Sequence, residues 1–373
     1  MIKILKGNIF DSQAQTLVNT VNCVGIMGKG LALEFKKRFP DMFQEYQNIC
    51  KRQELQLGKP YLYKSLIPPW ILNFPTKGHW RAVSRVEDIV KGLEYLVEHY
   101  KEWGITSLAI PPLGCGQGQL EWDTVCPVLT HYLSLMDIPV EIYAPWDIPE
   151  RKIQLEFLNK KTKNTLPEKT KAGLYELNSA WVIIVEILNR IEQQPYHWPV
   201  GRTTFQKIAF VATKEGIPTG LNYQKASYGP FAPELKKHIT RMVNNGLIEE
   251  EPLGKMFKVK TGSTFENIRK KYIKEIEKLD KIINKIVDLF MRIKTDQAEI
   301  TATVLFATDE LKAEKKEEPT ETEVMDYVMK WKERRRPPVN KEAVASTIRN
   351  LAVLDWLKVK PSMDMSVFEE AWL

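Results

Sequence analysis

The sequence predicts an α/β sandwich over about its first 150 residues, followed by mostly helical, winged-helix-like domains. Three observations carry this. Strand-like and helix-like runs alternate up to VEIYAP at 140–145. A polar, Lys-rich stretch broken by Pro167 then interrupts the pattern. Beyond it the apolar residues recur with helical spacing. At 373 residues the chain is too long for one domain, and with 43% hydrophobic residues each part has enough apolar material for a core.

In order, IKILKGNIF opens with apolar alternation and TLVNTVN is a short β-branched run. LALEFKKRFPDMFQEYQNICKR reads as one helix, and PYLYKSLIPPWILNF as two strands parted by Pro68 and Pro69. VEDIVKGLEYLVEHYKEWG has apolar residues at helical spacing and a stop signal at Gly104. ITSLAIPPLG is a strand entering a glycine loop, TVCPVLTHYLSL a helix and VEIYAP a last strand. Alternation of this kind implies a parallel or mixed sheet, with ligands at the carboxyl ends of the strands. The expected boundaries are residues 1–155 for this domain and 156–172 for a linker. Over 173–262, three helical segments and a β-wing in LGKMFKVKTG form a winged-helix-like domain. Residues 263–298 carry a long amphipathic helix with Ile276, Ile283, Ile286 and Val287 on its stripe. The pattern of helices ending in a short strand recurs over 299–373, a second winged-helix-like unit.

Charge is uneven. Residues 1–150 hold 15 basic and 16 acidic side chains, the remainder 39 and 31. The first part must therefore bind its ligand without a large positive field, whereas the second has long-range attraction available for nucleic acid or an acidic protein. Four Cys without a CxxC pair and five His argue against a disulfide scaffold or a structural zinc site, and a reduced, cytoplasmic compartment is expected. No apolar run reaches 18 residues, so no membrane helix and no membrane partner are expected.

Two loops can bind phosphate. LVNTVNCVGIMGKGLA places Gly25, Gly28 and Gly30 between a strand and a helix, and IPPLGCGQGQLEW places Gly114, Gly116 and Gly118 after another strand. Glycine lets backbone N–H groups wrap a phosphate, and a following helix N-terminus favours the anion. Neither loop matches GxxxxGK[ST], which disfavours a P-loop enzyme. Lys77, in NFPTKGHWR, follows a strand; desolvated in a pocket, its amine would serve as nucleophile or base. Cys115 has no His in a partner-like motif nearby and reads as a packing residue.

KGNIF at 6–10 and these two loops resemble the hallmark segments of the macrodomain family, which has a three-layer α/β/α fold that binds ADP-ribose. GIMGKGLALEFKKRFP, the Lys of TKGHWR and PPLGCGQGQLEW resemble its ADP-ribose glycohydrolase branch. With the helical C-terminal part, the chain is similar to macrodomain antitoxins that counter DarT, a toxin attaching ADP-ribose to thymine in single-stranded DNA. RTTFQKIAF and YGPFAPEL resemble a domain of other antitoxins. The resemblance implies that Asn8 and Ile9 meet the adenine and Asn22 the distal ribose. It assigns Met27, Gly28, Lys29 and Gly30 to one phosphate loop and Gly114, Cys115, Gly116 and Gln117 to the other. Thr76 joins the ligand-binding set and Lys77 is the catalytic residue. Asn8 stands where most relatives have Asp, and Gly118 where protein-directed relatives have a catalytic Asp; Glu121 is a doubtful substitute.

The implied activity is hydrolysis of the N-glycosidic link between ADP-ribose and thymidine in single-stranded DNA, without a cofactor. The C-terminal part would bind and inhibit DarT, with Trp181, Phe205 or Trp356 as apolar anchors. A rival reading is an ADP-ribose reader fused to a winged-helix DNA-binding regulator, for which Lys77 has no task. A third is a phosphatase acting on ADP-ribose 1″-phosphate.

Overall fold

The computed structural model describes residues 1–150, 175–254 and 256–362. It divides into two units: residues 1–175 with 239–245, and 176–238 with 246–373. The expected linker at 156–172 lies outside the described residues.

The first unit is built on six strands: β1 (Ile2–Leu5), β2 (Thr16–Asn22), β3 (Tyr61–Tyr63), β4 (Trp70–Lys77), β5 (Leu108–Ile110) and β6 (Val140–Tyr143). Their order in the sheet is β1-β6-β5-β2-β4-β3. All adjacent pairs are parallel except the edge pair β3–β4. Helices α1 (Gly30–Arg38), α2 (Pro40–Lys51), α3 (Val86–His99) and α4 (Trp122–Leu133) cover it. Strand alternation sends Leu17 and Val21 to one face, in a core with Phe35, Met42 and Tyr46 of α1 and α2. Val18, Leu72 and Phe74 go to the other face, in a core with Ile89, Leu93, Val125 and Leu129 of α3 and α4. Burial on both faces gives three layers. Gly92 lets α3 approach closely, since a Cβ there would meet Phe74 Cζ at 2.4 Å.

The helix expected across LALEFKKRFPDMFQEYQNICKR is two helices. Phe39 leaves helical geometry (φ −128°, ψ 69°) because Pro40 follows, and Pro40 starts α2, where a missing N–H costs nothing.

In the second unit, helices Ser179–Glu192 and Arg202–Lys214 and the hairpin β9 (Ile248–Leu253) to β10 (Met256–Thr261) appear as expected. A small pair, β7 (Gln224–Ala226) and β8 (Gly229–Phe231), was not foreseen. The long helix expected over 263–298 is divided into Phe265–Arg269, Ile273–Lys278 and Asp280–Arg292. Tyr272 (φ −117°, ψ 19°) and Leu279 (φ −104°, ψ 10°) interrupt it. The Tyr272 hydroxyl donates to Leu177 O at 3.0 Å, a tertiary bond that fixes the first break. Beyond it, helices Thr295–Lys315, Glu321–Trp331 and Lys341–Val353 match the expected set. The short strand expected to end the second unit is one bridge, Thr320 to Lys360, and Thr320 also caps the helix that starts at Glu321.

The motifs FQKIAF and YGPF meet in this unit. Lys207 Nζ, 1% exposed, donates to Pro230 O at 2.9 Å. Gly229 (φ +90°) takes the left-handed conformation there, and a Cβ on it would lie 2.8 Å from Thr303 Oγ1. Glu299, also buried, receives Lys332 at 2.8 Å and Arg335 at 3.0 Å. Burial first, then the Lys332 charge, pull the Lys207 pKa from 10.5 down to about 8, with Glu299 opposing. Between these values the unfolded chain holds a proton that the folded one lacks, so stability rises with pH across that interval. We expect Lys207→Met to flatten this rise, read from urea midpoints at about pH 7.5 and 9.5; an undiminished rise would contradict the assignment.

Candidate active site at the carboxyl edge of the sheet

Because β1, β6, β5, β2 and β4 run parallel, their carboxyl ends share one edge. Asn8 and Ile9 follow β1, the 114–118 loop follows β5, the 22–30 loop follows β2, and Thr76 and Lys77 close β4. The fold thus brings the candidate ligand-binding segments to one edge, in the order β1, β5, β2, β4 along about 19 Å at roughly 4.8 Å per strand.

At the β1 end, Asn8 caps the short turn Ile9–Asp11, its Oδ1 accepting from Phe10 N at 3.2 Å. One lone pair of that oxygen stays available to a ligand amino group. The Ile9 side chain is buried, so what it offers a ligand is backbone. Trp146, 74% exposed, follows β6, the neighbour of β1. Sequence reading missed it; an unburied Trp just after a strand was the available signal.

The β2 loop is shaped by Asn22. Its Oδ1 accepts from Val24 N at 3.0 Å and Ile26 N at 3.3 Å, and its Nδ2 donates to Ile26 O at 2.6 Å. Buried Tyr46 donates its hydroxyl to Asn22 O at 2.7 Å. Asn22 therefore first organises the loop. Met27 is buried and anchors the loop, while Gly28 and Lys29 are exposed. Gly30 (φ +58°) opens α1, whose first turn has no side-chain cap. An uncapped helix start with amides aimed outward suits an anion.

The β5 loop is held from within: Leu120 N donates to Gly114 O at 3.0 Å and Gln119 N to Gly116 O at 3.1 Å. Its glycines differ in kind. A Cβ at Gly118 would stand 2.3 Å from Gly114 O and from Ser84 Oγ, so any side chain is excluded there. An Asp at this position is therefore sterically forbidden in this loop. At Gly116 a Cβ meets nothing within 4 Å. Buried Ser84, whose N donates to Gly118 O at 3.3 Å, supports the loop and gave no sequence signal. Burial, with Cys126 and Asp147 adding, pushes the Cys115 thiol up to about 12, so it stays protonated and unreactive at neutral pH. Glu121 is ion-paired to Arg241 at 2.6 Å and committed there.

Lys77 ends β4 beside a bulge: Val21 faces Pro75 but Asn22 faces Lys77, so Thr76 is the extra residue. A bulge re-aims the side chains after it. Thr76 Oγ1 turns to Val21 O at 3.4 Å, and the Lys77 amine, its side chain buried, donates to Gln117 O of the β5 loop. The amine is thereby held against the second loop.

Fold and site together define the first unit as a macrodomain, and residues 18–129 match the family model for the Macro domain. The chain is 44% identical over 177 residues to the DNA ADP-ribosyl transferase-DNA ADP-ribosyl glycohydrolase fusion protein of Thermosipho africanus, covering 42% of this chain and 46% of that one. It is 34% identical over 246 residues to the DNA ADP-ribosyl glycohydrolase of Thermus aquaticus, covering 65% of this chain and 64% of that one. The solved macrodomain of Thermus aquaticus DarG is 42% identical, covering 39% of this chain and 99% of that chain, with a TM-score of 0.38. The chain is thus similar to DarG proteins, and it spans about half to two thirds of the length of these curated relatives.

The two glycines give a paired test. Gly118→Ala should lower the melting temperature, as overpacking by one methyl costs about 1–3 kcal/mol. Gly116→Val should leave it in place while weakening ADP-ribose binding in calorimetry. Unchanged affinity in Gly116→Val would count against the phosphate assignment.

Proposed function

We propose that the protein is an antitoxin that hydrolyses the N-glycosidic bond between ADP-ribose and thymidine in single-stranded DNA. Water enters, the thymine is restored and ADP-ribose leaves. The reading rests on one observation: adenine-side residues, two glycine loops and a lysine succeed one another along the sheet edge in the order of the parts of ADP-ribose. The adenine lies near Asn8, Ile9 and Trp146, the diphosphate between the β2 and β5 loops, and the distal ribose at β4. Asn22 and Thr76 line that ribose, and Lys77 acts at its C1″ carbon. The amine either attacks the ring-opened sugar or moves protons while the glycosidic bond breaks. A pure reader would have no task for a buried lysine at that end. The similarity to DNA ADP-ribosyl glycohydrolases supports DNA-linked ADP-ribose as the substrate class.

Lys77→Ala should abolish or greatly slow release of ADP-ribose from a modified thymidine oligonucleotide, with ADP-ribose affinity kept within about tenfold, or roughly 1.4 kcal/mol. Full activity in the variant would sink the lysine mechanism.

The second layer of the proposal is that the C-terminal part binds and inhibits the cognate transferase, DarT, in the cytoplasm. No helix among the described residues is long and apolar enough to cross a membrane. The anchors expected for the toxin need correction: Trp181, Phe205 and Trp356 are buried, and Trp181 stacks on His238 with centroids 4.2 Å apart. Exposed Tyr196, Trp198 and Tyr228 take that role instead. In a pull-down with the transferase, binding that survives about 0.5 M salt, where the Debye length falls below roughly 5 Å, identifies apolar anchors; loss identifies surface charge. No binding at any salt removes this layer.

A further inference from the structure

The substrate's DNA must leave the site on one side, and the order of the strands says which. The thymine is bonded to the distal ribose, so under the proposed function, on which this inference rests, the strand departs at the β4 end. The loop 64–69 between β3 and β4 is excluded, because it lies at the opposite edge: β3 is antiparallel to β4 and Tyr63 pairs with Ile71 near the start of β4. At the carboxyl end of β4 the chain continues, past Gly78, into the segment His79-Trp80-Arg81.

That segment is ordered as a tight turn. Ala82 N donates to His79 O at 2.9 Å, and Arg81 N to His79 Nδ1 at 3.2 Å. Trp80, three residues beyond Lys77, is 44% exposed. His79 stacks on it with centroids 5.6 Å apart and an interplanar angle of 30°, and the Arg81 guanidinium lies 4.5 Å from the indole centroid. An indole flanked by imidazole and guanidinium planes is a stacking platform with a cation attached. Every nucleobase has a face that such a platform accepts, and the cation suits the adjoining phosphate.

The charge distribution makes a local device necessary. With 15 basic against 16 acidic residues in 1–150, no broad positive field draws a polyanion to this domain. Binding of a nucleic acid strand must come from a few short-range contacts placed where the strand passes.

We propose that Trp80 stacks the base next to the ADP-ribosylated thymidine, and that Arg81 contacts the phosphate between them. The base takes the indole face over which the guanidinium now lies, and the guanidinium turns to the phosphate. The site would then prefer a modified thymidine within single-stranded DNA over the same nucleoside alone, and a duplex, whose neighbouring base is already paired and stacked, would be a poor substrate.

The test compares full-length wild type, Trp80→Ala, Trp80→Phe and Arg81→Ala on two substrates: ADP-ribosyl-thymidine nucleoside and an ADP-ribosylated oligonucleotide of about ten nucleotides. The readout is the ratio of kcat/KM for the oligonucleotide to that for the nucleoside. The ratio should fall about tenfold in Trp80→Ala, the size of one base stack lost to alanine, chiefly through KM. Trp80→Phe should restore most of it. Arg81→Ala should reduce the slope of log KM against log salt by about 0.7, one phosphate contact on a single strand. A Trp80→Ala ratio equal to wild type, with both substrates cleaved, overturns this inference alone. Wild type that cleaves neither substrate overturns the hydrolase reading and this inference with it.

Discussion

The shared direction of five strands is the constraint on which the site depends. Parallel pairing puts the carboxyl ends of β1, β6, β5, β2 and β4 at one edge, so segments spread from Asn8 to Trp146 become neighbours. Burial of the sheet on both faces leaves the strands no choice of register, because a one-residue slip would turn Leu17 and Val18 to the wrong cores. The layout of the edge results from that packing. Under the proposed function, a ligand with an aromatic base at one end, two phosphates in the middle and a reactive sugar at the other fits it part by part.

Rigidity within the edge comes from polar groups serving the loops before they serve a ligand. Asn22 spends most of its hydrogen-bonding capacity on residues 24–26, and Tyr46 braces it from α2. Gly118 and Ser84 do the same for the β5 loop by close contact. The bulge at Val21 and Asn22 re-aims the end of β4, and the Lys77 amine reaches across to Gln117 O. Backbone donors held this way need little reorganisation when an anion arrives, which is the condition for preorganised electrostatic stabilisation. The same crowding leaves no room for an acidic side chain at Gly118.

Much of this was legible in the sequence, because glycine loops after β-branched runs and a lysine after a strand carry local signals. Lys77 was readable from its place after a strand, whereas Asn8, Asn22 and Thr76 were marked only by the resemblance to the macrodomain family. Ser84 was not: its role comes from a contact across sequence, with Gly118. The steric difference between Gly116 and Gly118 was equally invisible, since both are glycines in one loop and only the packing separates them. In the second unit the apolar stripe over 263–298 was read correctly as amphipathic but not as interrupted, because the break at Tyr272 is fixed by a tertiary bond to Leu177 O. The partner-facing aromatics failed for a related reason. Trp181, Phe205 and Trp356 are apolar residues that the fold buries, and composition does not separate a core aromatic from a surface one.

The proposed function requires ADP-ribose to lie along the sheet edge with its adenine at β1. Photo-cross-linking with an azido group on the adenine of ADP-ribose, followed by peptide mapping, reads that direction without relying on turnover. Label is expected on the peptides holding Asn8 and Ile9 or Trp146, competed away by unmodified ADP-ribose. Label on the peptide holding Thr76, Lys77 and Trp80 would reverse the ligand and contradict this orientation.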